Sequence, residues 1–66
     1  MQIQVNGEPR EVPDGSNIAQ LLQQLELSPR YLAVERNEQL VPRGEHADCL
    51  LKTGDRIEIV TLVGGG

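Results

Sequence analysis

Apolar and polar residues alternate from the first position of the chain, with Met1, Ile3 and Val5 set against Gln2, Gln4 and Asn6. A period of two places one set on a buried face and predicts a half-buried strand. Asn6-Gly7 follows, and both residue types tolerate positive φ, so the pair predicts a two-residue hairpin turn. A second strand is expected through about Arg10–Val12, bracketed by Pro9 and Pro13, because proline gives no donor to a ladder. Asp14-Gly15 reads as a turn. Ser16 and Asn17 each offer a side-chain oxygen to the first N–H groups of a helix. Ile18, Leu21, Leu22 and Leu25 then recur at i, i+3, i+4 and i+7, with Gln20, Gln23 and Gln24 outside, which predicts an amphipathic helix ending near Glu26. Ser28-Pro29 closes it, since the residue before a proline is pushed away from helical geometry.

Leu32–Arg36 reads as a third strand, Asn37 as the start of a turn, and Leu40-Val41 as a short fourth strand ended by Pro42. The segment 43–51 is ambiguous by pattern; a short helical or 3₁₀ turn and then an extended Leu50-Leu51 is expected. Thr53-Gly54-Asp55 is a turn. The last strand is expected from Arg56 to Val63, with Ile57 and Ile59 facing one side and Glu58, Val60 and Leu62 the other. The pattern establishes an α+β domain with one main helix packed on one face of a sheet.

Sixty-six residues make one domain, expected as residues 1–63, followed by a glycine tail at 64–66. So short a chain buries only about 60% of its unfolded surface, and its stability is expected to be marginal. With one cysteine no internal disulfide is possible, and Cys49 and His46 are the only soft metal ligands, so the core must be aliphatic. A net charge of −4 argues against nucleic acid, whose recognition needs a basic stripe, and favours a basic protein partner. No apolar run reaches membrane-spanning length. No signal peptide is visible before the opening strand pattern, and the lone thiol fits a reducing, cytoplasmic setting.

Catalytic readings are weak. Cys49 and His46 lie three apart in the ambiguous segment with no evident pocket, so Cys49 is expected to pack as a small hydrophobe or to be incidentally exposed, and His46 to lie on the surface. Gly64-Gly65-Gly66 is followed by no helix that would cradle a phosphate. The carboxylates form no constellation of defined spacing. Glu58 differs by position: it shares a strand face with Val60 and Leu62, leading into the tail, and that face is a candidate docking surface. Val63-Gly64-Gly65-Gly66 itself suggests a thin thread, the three glycines reaching at most about 10 Å, with a carboxylate at its tip able to enter a narrow channel. A frayed terminus or a linker remnant has the same composition.

The whole chain resembles the ThiS family, the small ubiquitin-like sulfur carriers of thiamin (thiazole) biosynthesis. The resemblance lies in Ile3-Gln4-Val5-Asn6-Gly7, Pro13-Asp14-Gly15 with Leu21-Leu22-Gln23-Gln24-Leu25, Ala33-Val34-Glu35-Arg36-Asn37 with Val41-Pro42-Arg43, Gly54-Asp55-Arg56-Ile57-Glu58-Ile59, and Val63-Gly64-Gly65-Gly66. No single piece is specific; the ordered set is. Glu38 departs from the pattern, since the family often has glycine after that asparagine.

This resemblance implies a ubiquitin-like β-grasp fold, a mixed sheet in which the last strand lies beside the first. It implies a carrier that is not an enzyme but the macromolecular substrate of an E1-like adenylating enzyme, which uses ATP and Mg²⁺. The carrier itself binds no cofactor. Gly66 is then the residue converted to an adenylate and a thiocarboxylate, Gly64 and Gly65 give the tail access to the enzyme, and Glu58, Val60 and Leu62 dock the partner. A cysteine desulfurase system supplies the sulfur, and thiazole synthase receives it. Two alternatives stay open: a molybdopterin-type sulfur carrier with the same terminal chemistry, and a β-grasp interaction module with an inert tail. A protein-conjugating modifier is a further reading, with Lys52 as its one chain-forming lysine.

Overall fold

Five strands and one α-helix build the architecture of residues 1–62, which the computed structural model describes. Strands β1 (Gln2–Val5) and β2 (Glu8–Glu11) form the opening hairpin. Asn6 and Gly7 connect them with φ of 51° and 84°, the paired positive values of a type I′ turn. Pro9 does not bracket β2 as expected but lies inside it, opposite Gln4. β2 is an outer strand of the sheet, where some amides have no ladder partner and a proline is tolerated. Val12, expected within the strand, follows it and is buried, its N–H donating to the Met1 carbonyl at 2.9 Å.

Helix α1 runs Ile18–Gln24. Of the two candidate caps, Asn17 takes the role: its Oδ1 accepts from the Gln20 N–H at 2.8 Å, and Gln20 Oε1 accepts from the Asn17 N–H at 2.9 Å. This reciprocal box satisfies two orphan donors of the first turn. Ser16 instead donates its hydroxyl to the Pro13 carbonyl at 2.6 Å. At the far end the Leu27 N–H reaches the Leu22 carbonyl (2.9 Å) and the Glu26 N–H the Gln23 carbonyl (3.0 Å). That is a Schellman closure, with Glu26 in the left-handed position at φ 58° where glycine is usual.

A 3₁₀ turn at Pro29–Tyr31, capped by Ser28, precedes β3 (Leu32–Arg36); the pattern of the sequence did not announce it. β4 (Gln39–Val41) returns through Asn37 and Glu38, at φ 50° and 71°. The second hairpin thus keeps a type I′ turn although it has glutamate where glycine is favoured. The ambiguous segment is a 3₁₀ helix at Arg43–Asp48, followed by an isolated bridge from Leu50 to Asn17. β5 covers Arg56–Thr61. The strand thus ends one residue before Leu62, which was expected within it, while Val63 and the proposed boundary between 63 and 64 lie outside the described residues.

The sheet order is β2-β1-β5-β3-β4. β5 runs parallel to β1 and antiparallel to β3, so the sheet is mixed and the last strand sits in its centre. Ile3, Val34, Ile57 and Ile59 from the sheet pack against Ile18, Leu21 and Leu22 from the helix, with Val12 and Leu51 closing the edges. Each such side chain contributes about 1.5–3 kcal/mol by leaving water.

Asp55 fixes the start of β5. Its carboxylate accepts from Arg36 Nε (2.8 Å), the Lys52 N–H (2.8 Å) and Asn37 Nδ2 (3.1 Å). Asn37 Oδ1 in turn accepts from the Arg56 N–H at 2.9 Å. Burial is the largest influence on Asp55 and opposes its charge; the hydrogen bonds from Arg36, Lys52 and Asn37 together outweigh it and hold the carboxyl below its ordinary range. One buried carboxylate thus ties the β3–β4 turn to the Thr53-Gly54 turn and to the entry of β5.

Candidate functional site

With Ile57 and Ile59 turned to the helix, the alternation of β5 puts Arg56, Glu58 and Val60 on the sheet's open face. Residues directly opposite in antiparallel strands share a face, so the register with β3 extends this surface. Glu58 stands opposite Glu35, and Val60 opposite Ala33. Glu35 stands in turn opposite Leu40 of β4. Val60 and Leu40 are 56% and 64% exposed, large values for aliphatic side chains in a sheet. Leu62, beyond the strand, is also exposed, as is Tyr31. The Leu62 N–H donates to the Tyr31 carbonyl at 2.6 Å, one rung past the last paired residue of β5. Glu58, Val60 and Leu62, singled out by the sequence, thus follow one another along the last strand and just past its end, toward the tail. Gly64, Gly65 and Gly66 lie outside the described residues.

The course of β5 is fixed on its other side by Asn6. β1 pairs with β5 only through Gln4↔Arg56 and Val5↔Ile57. Beyond that point the Asn6 backbone N–H donates to the Ile57 carbonyl at 2.8 Å. The Asn6 side chain then accepts from the Ile59 N–H (2.7 Å) and donates to the Ile59 carbonyl (3.3 Å). A side-chain amide replaces the peptide that β1 no longer supplies, since its own backbone has turned away into the hairpin.

The residues with nucleophilic or basic potential do not form a site. His46 is buried, not superficial as expected; its Nε2 lies 3.1 Å from the Val41 carbonyl. The 3₁₀ turn that the sequence left ambiguous carries the imidazole inward. Cys49 is half-buried against the core, as its reading as a small hydrophobe anticipates. Among the described residues no hydrogen bond joins the two side chains, and no group of three or more His, Cys, Asp or Glu is placed to hold a metal ion. Among them, too, no helix is long and apolar enough to cross a membrane.

Sequence reasoning missed Glu35, Leu40 and Tyr31 as neighbours of the candidate docking residues, because strand register is invisible in a single strand's pattern. It also took Asn6 only as a turn former. Its length and amide chemistry, next to a central strand that outruns its neighbour, were the available signal.

The ThiS family model matches residues 3–66, tail included. The chain is 41% identical over all its 66 residues to a thiazole synthase of Magnetococcus marinus, of which it spans 20%. It is 32% identical to the sulfur carrier protein ThiS of Escherichia coli K12, with both chains covered completely. A thiazole synthase of Paramagnetospirillum magneticum is 38% identical and likewise spanned for 20% of its length, so the chain covers about a fifth of these two relatives. Among solved structures, the crystal structure of the thiamine biosynthesis protein ThiS from Geobacter metallireducens superposes with a TM-score of 0.85 at 32% identity, all of both chains covered.

Proposed function

The chain belongs to the ThiS family, and from that premise we propose that it is a sulfur carrier of thiamin biosynthesis whose reactive group is the carboxylate of Gly66. The observation that carries this reading is the match of the family model through residue 66, which brings the glycine tail inside the family pattern.

A carboxylate is a poor electrophile. Attack of a Gly66 oxygen on the α-phosphorus of ATP expels pyrophosphate and gives an acyl-adenylate, whose AMP is a good leaving group. An adenylating enzyme of the E1 type supplies this step, with the Mg²⁺ that neutralises the phosphates. A persulfide from a cysteine desulfurase system then displaces AMP. A thiol cleaves the resulting sulfur–sulfur bond and leaves the thiocarboxylate, which thiazole synthase consumes. The carrier's own part is physical. Gly64 and Gly65 present no side chain to a narrow channel. Glu58, Val60 and Leu62 dock the partner beside the point where the tail begins. The setting is the cytoplasm.

The test is pyrophosphate exchange. With the adenylating enzyme and Mg²⁺, the chain should promote incorporation of labelled pyrophosphate into ATP, and a chain truncated after Gly64 should not. Equal exchange with the truncated chain would overturn the assignment of Gly66. Partner binding that survives truncation, with no exchange by either form, would favour an interaction module with an inert tail.

A further inference from the structure

Glu58 and Glu35 are directly opposed across β5 and β3, and both are exposed. At such a position Cβ atoms stand about 4.5–5.5 Å apart, and like charges repel. Among the described residues neither carboxylate takes part in an ion pair; Arg56, two residues along β5, lies 3.9 Å from Glu38 instead. The pair is flanked by exposed aliphatic surface, with Leu40 across from Glu35 and Val60 one rung toward the tail. A surface of this kind costs the free protein a little stability. It gains most when a cation is brought to it under apolar cover, where water no longer screens the charges.

We propose that this face docks a protein surface that lays one arginine across Glu35 and Glu58, with Val60 and Leu40 forming the apolar cover. A guanidinium fits because it is planar and offers donors along two edges, one for each carboxylate, where an ammonium is a point charge. The proposal rests on the carrier reading above for the identity of that surface, which is the adenylating enzyme. The face leads along β5 to Leu62 and so to the tail that must enter that enzyme's channel. A second copy of this chain does not fit. It would bring two such glutamate pairs together, on molecules of net charge −4.

The experiment compares Glu35→Gln, Glu58→Gln, the double variant and Glu45→Gln as a control for net charge. Thermal unfolding is measured on each free carrier, and the dissociation constant for the adenylating enzyme by calorimetry at two salt concentrations. Glu35→Gln and Glu58→Gln should melt at or above the wild-type temperature and each bind about tenfold more weakly, with a shallower salt dependence. Glu45→Gln should bind like wild type. A purely structural role would not move stability and affinity in opposite directions. Affinities of the Glu35 and Glu58 variants within twofold of wild type, or an equal loss with Glu45→Gln, would overturn the proposal while leaving the carrier reading intact. Failure of the wild-type chain to bind the enzyme would overturn both.

Discussion

The amide of Asn6 serves the backbone of Ile59 as a strand would, accepting from its N–H at 2.7 Å and donating to its carbonyl at 3.3 Å. The two residues are 53 positions apart in the chain, and their contact lies at the point where β1 turns away from β5. The segment leading to the tail is therefore held on both sides, by the 3₁₀ turn before β3 through Leu62 and Tyr31 and by one side chain where β1 has ended.

Asn6→Gly keeps the left-handed backbone that the turn requires and removes only the amide. It should cost about 1–3 kcal/mol, two hydrogen bonds at roughly 1 kcal/mol each plus the desolvation of the Ile59 groups they cover. Urea unfolding measures the loss, and hydrogen exchange localises it. The Ile59 amide should exchange faster, relative to the amide of residue 6, which keeps the Ile57 carbonyl as its acceptor. Unchanged protection at Ile59 would show that the clamp is not what orders the strand.

Glu38 holds φ 71° in the second type I′ turn, and glycine removes the clash of Cβ with the backbone that this entails. Glu38→Gly should stabilise the domain by about 0.5–1 kcal/mol, the relief of strain being partly offset by the greater freedom of glycine in the unfolded chain. The loss of its 3.9 Å contact with Arg56 matters little, since both side chains are largely exposed. A higher denaturant midpoint at unchanged slope is the expected readout.

The fold was legible because its signals are local and agree with one another. Asn6-Gly7 marks a turn, Ile18 to Leu25 mark one helical face, and Ile57 and Ile59 mark the buried side of the last strand. Asn37 marked the second turn, but the glutamate at 38 obscured its type, which tertiary pairing imposes on a residue that does not favour it. His46 was misplaced because a 3₁₀ turn has no apolar periodicity to show which way its side chains point. Glu35, Leu40 and Tyr31 joined the candidate site only through register, which depends on how strands meet and not on any one of them. Pro9 was read as a boundary because the sequence does not reveal that β2 is an outer strand.

Asp55 makes stability depend on pH in a definite direction. Its folded carboxyl titrates below the unfolded value of about 3.9, because three donors outweigh the cost of burial. The unfolded chain therefore takes up the proton first as pH falls. The contribution of Asp55 is fully present above the unfolded value and is lost as pH drops through the folded one. Asp55→Ala should be less stable than wild type at pH 7, and the difference between the two should shrink as pH falls below about 4. Parallel stability curves over that range would contradict the assignment.

Gly65→Val tests the side-chain-free tail apart from the fold. The melting temperature should match wild type, because the substitution lies beyond the last strand residue, Thr61. On the proposed carrier reading, adenylation should fall by at least a hundredfold, about 2.7 kcal/mol in barrier, because a β-branched side chain would have to enter the adenylating enzyme's narrow channel. Normal pyrophosphate exchange by this variant would remove the steric argument.

The central claim is that sulfur is loaded onto the terminal glycine, and mass spectrometry of the tryptic peptide Ile57–Gly66 tests it most directly. Exchange of oxygen for sulfur adds nearly the same mass as an oxidation, but this peptide contains neither Met1 nor Cys49 and so is free of the ambiguity. After incubation with ATP, the adenylating enzyme and a persulfide source, the account predicts that increment on this peptide, dependent on ATP and placed at Gly66 by fragmentation. An unchanged peptide with an adenylating enzyme known to be active, or an increment that appears without ATP, would contradict it.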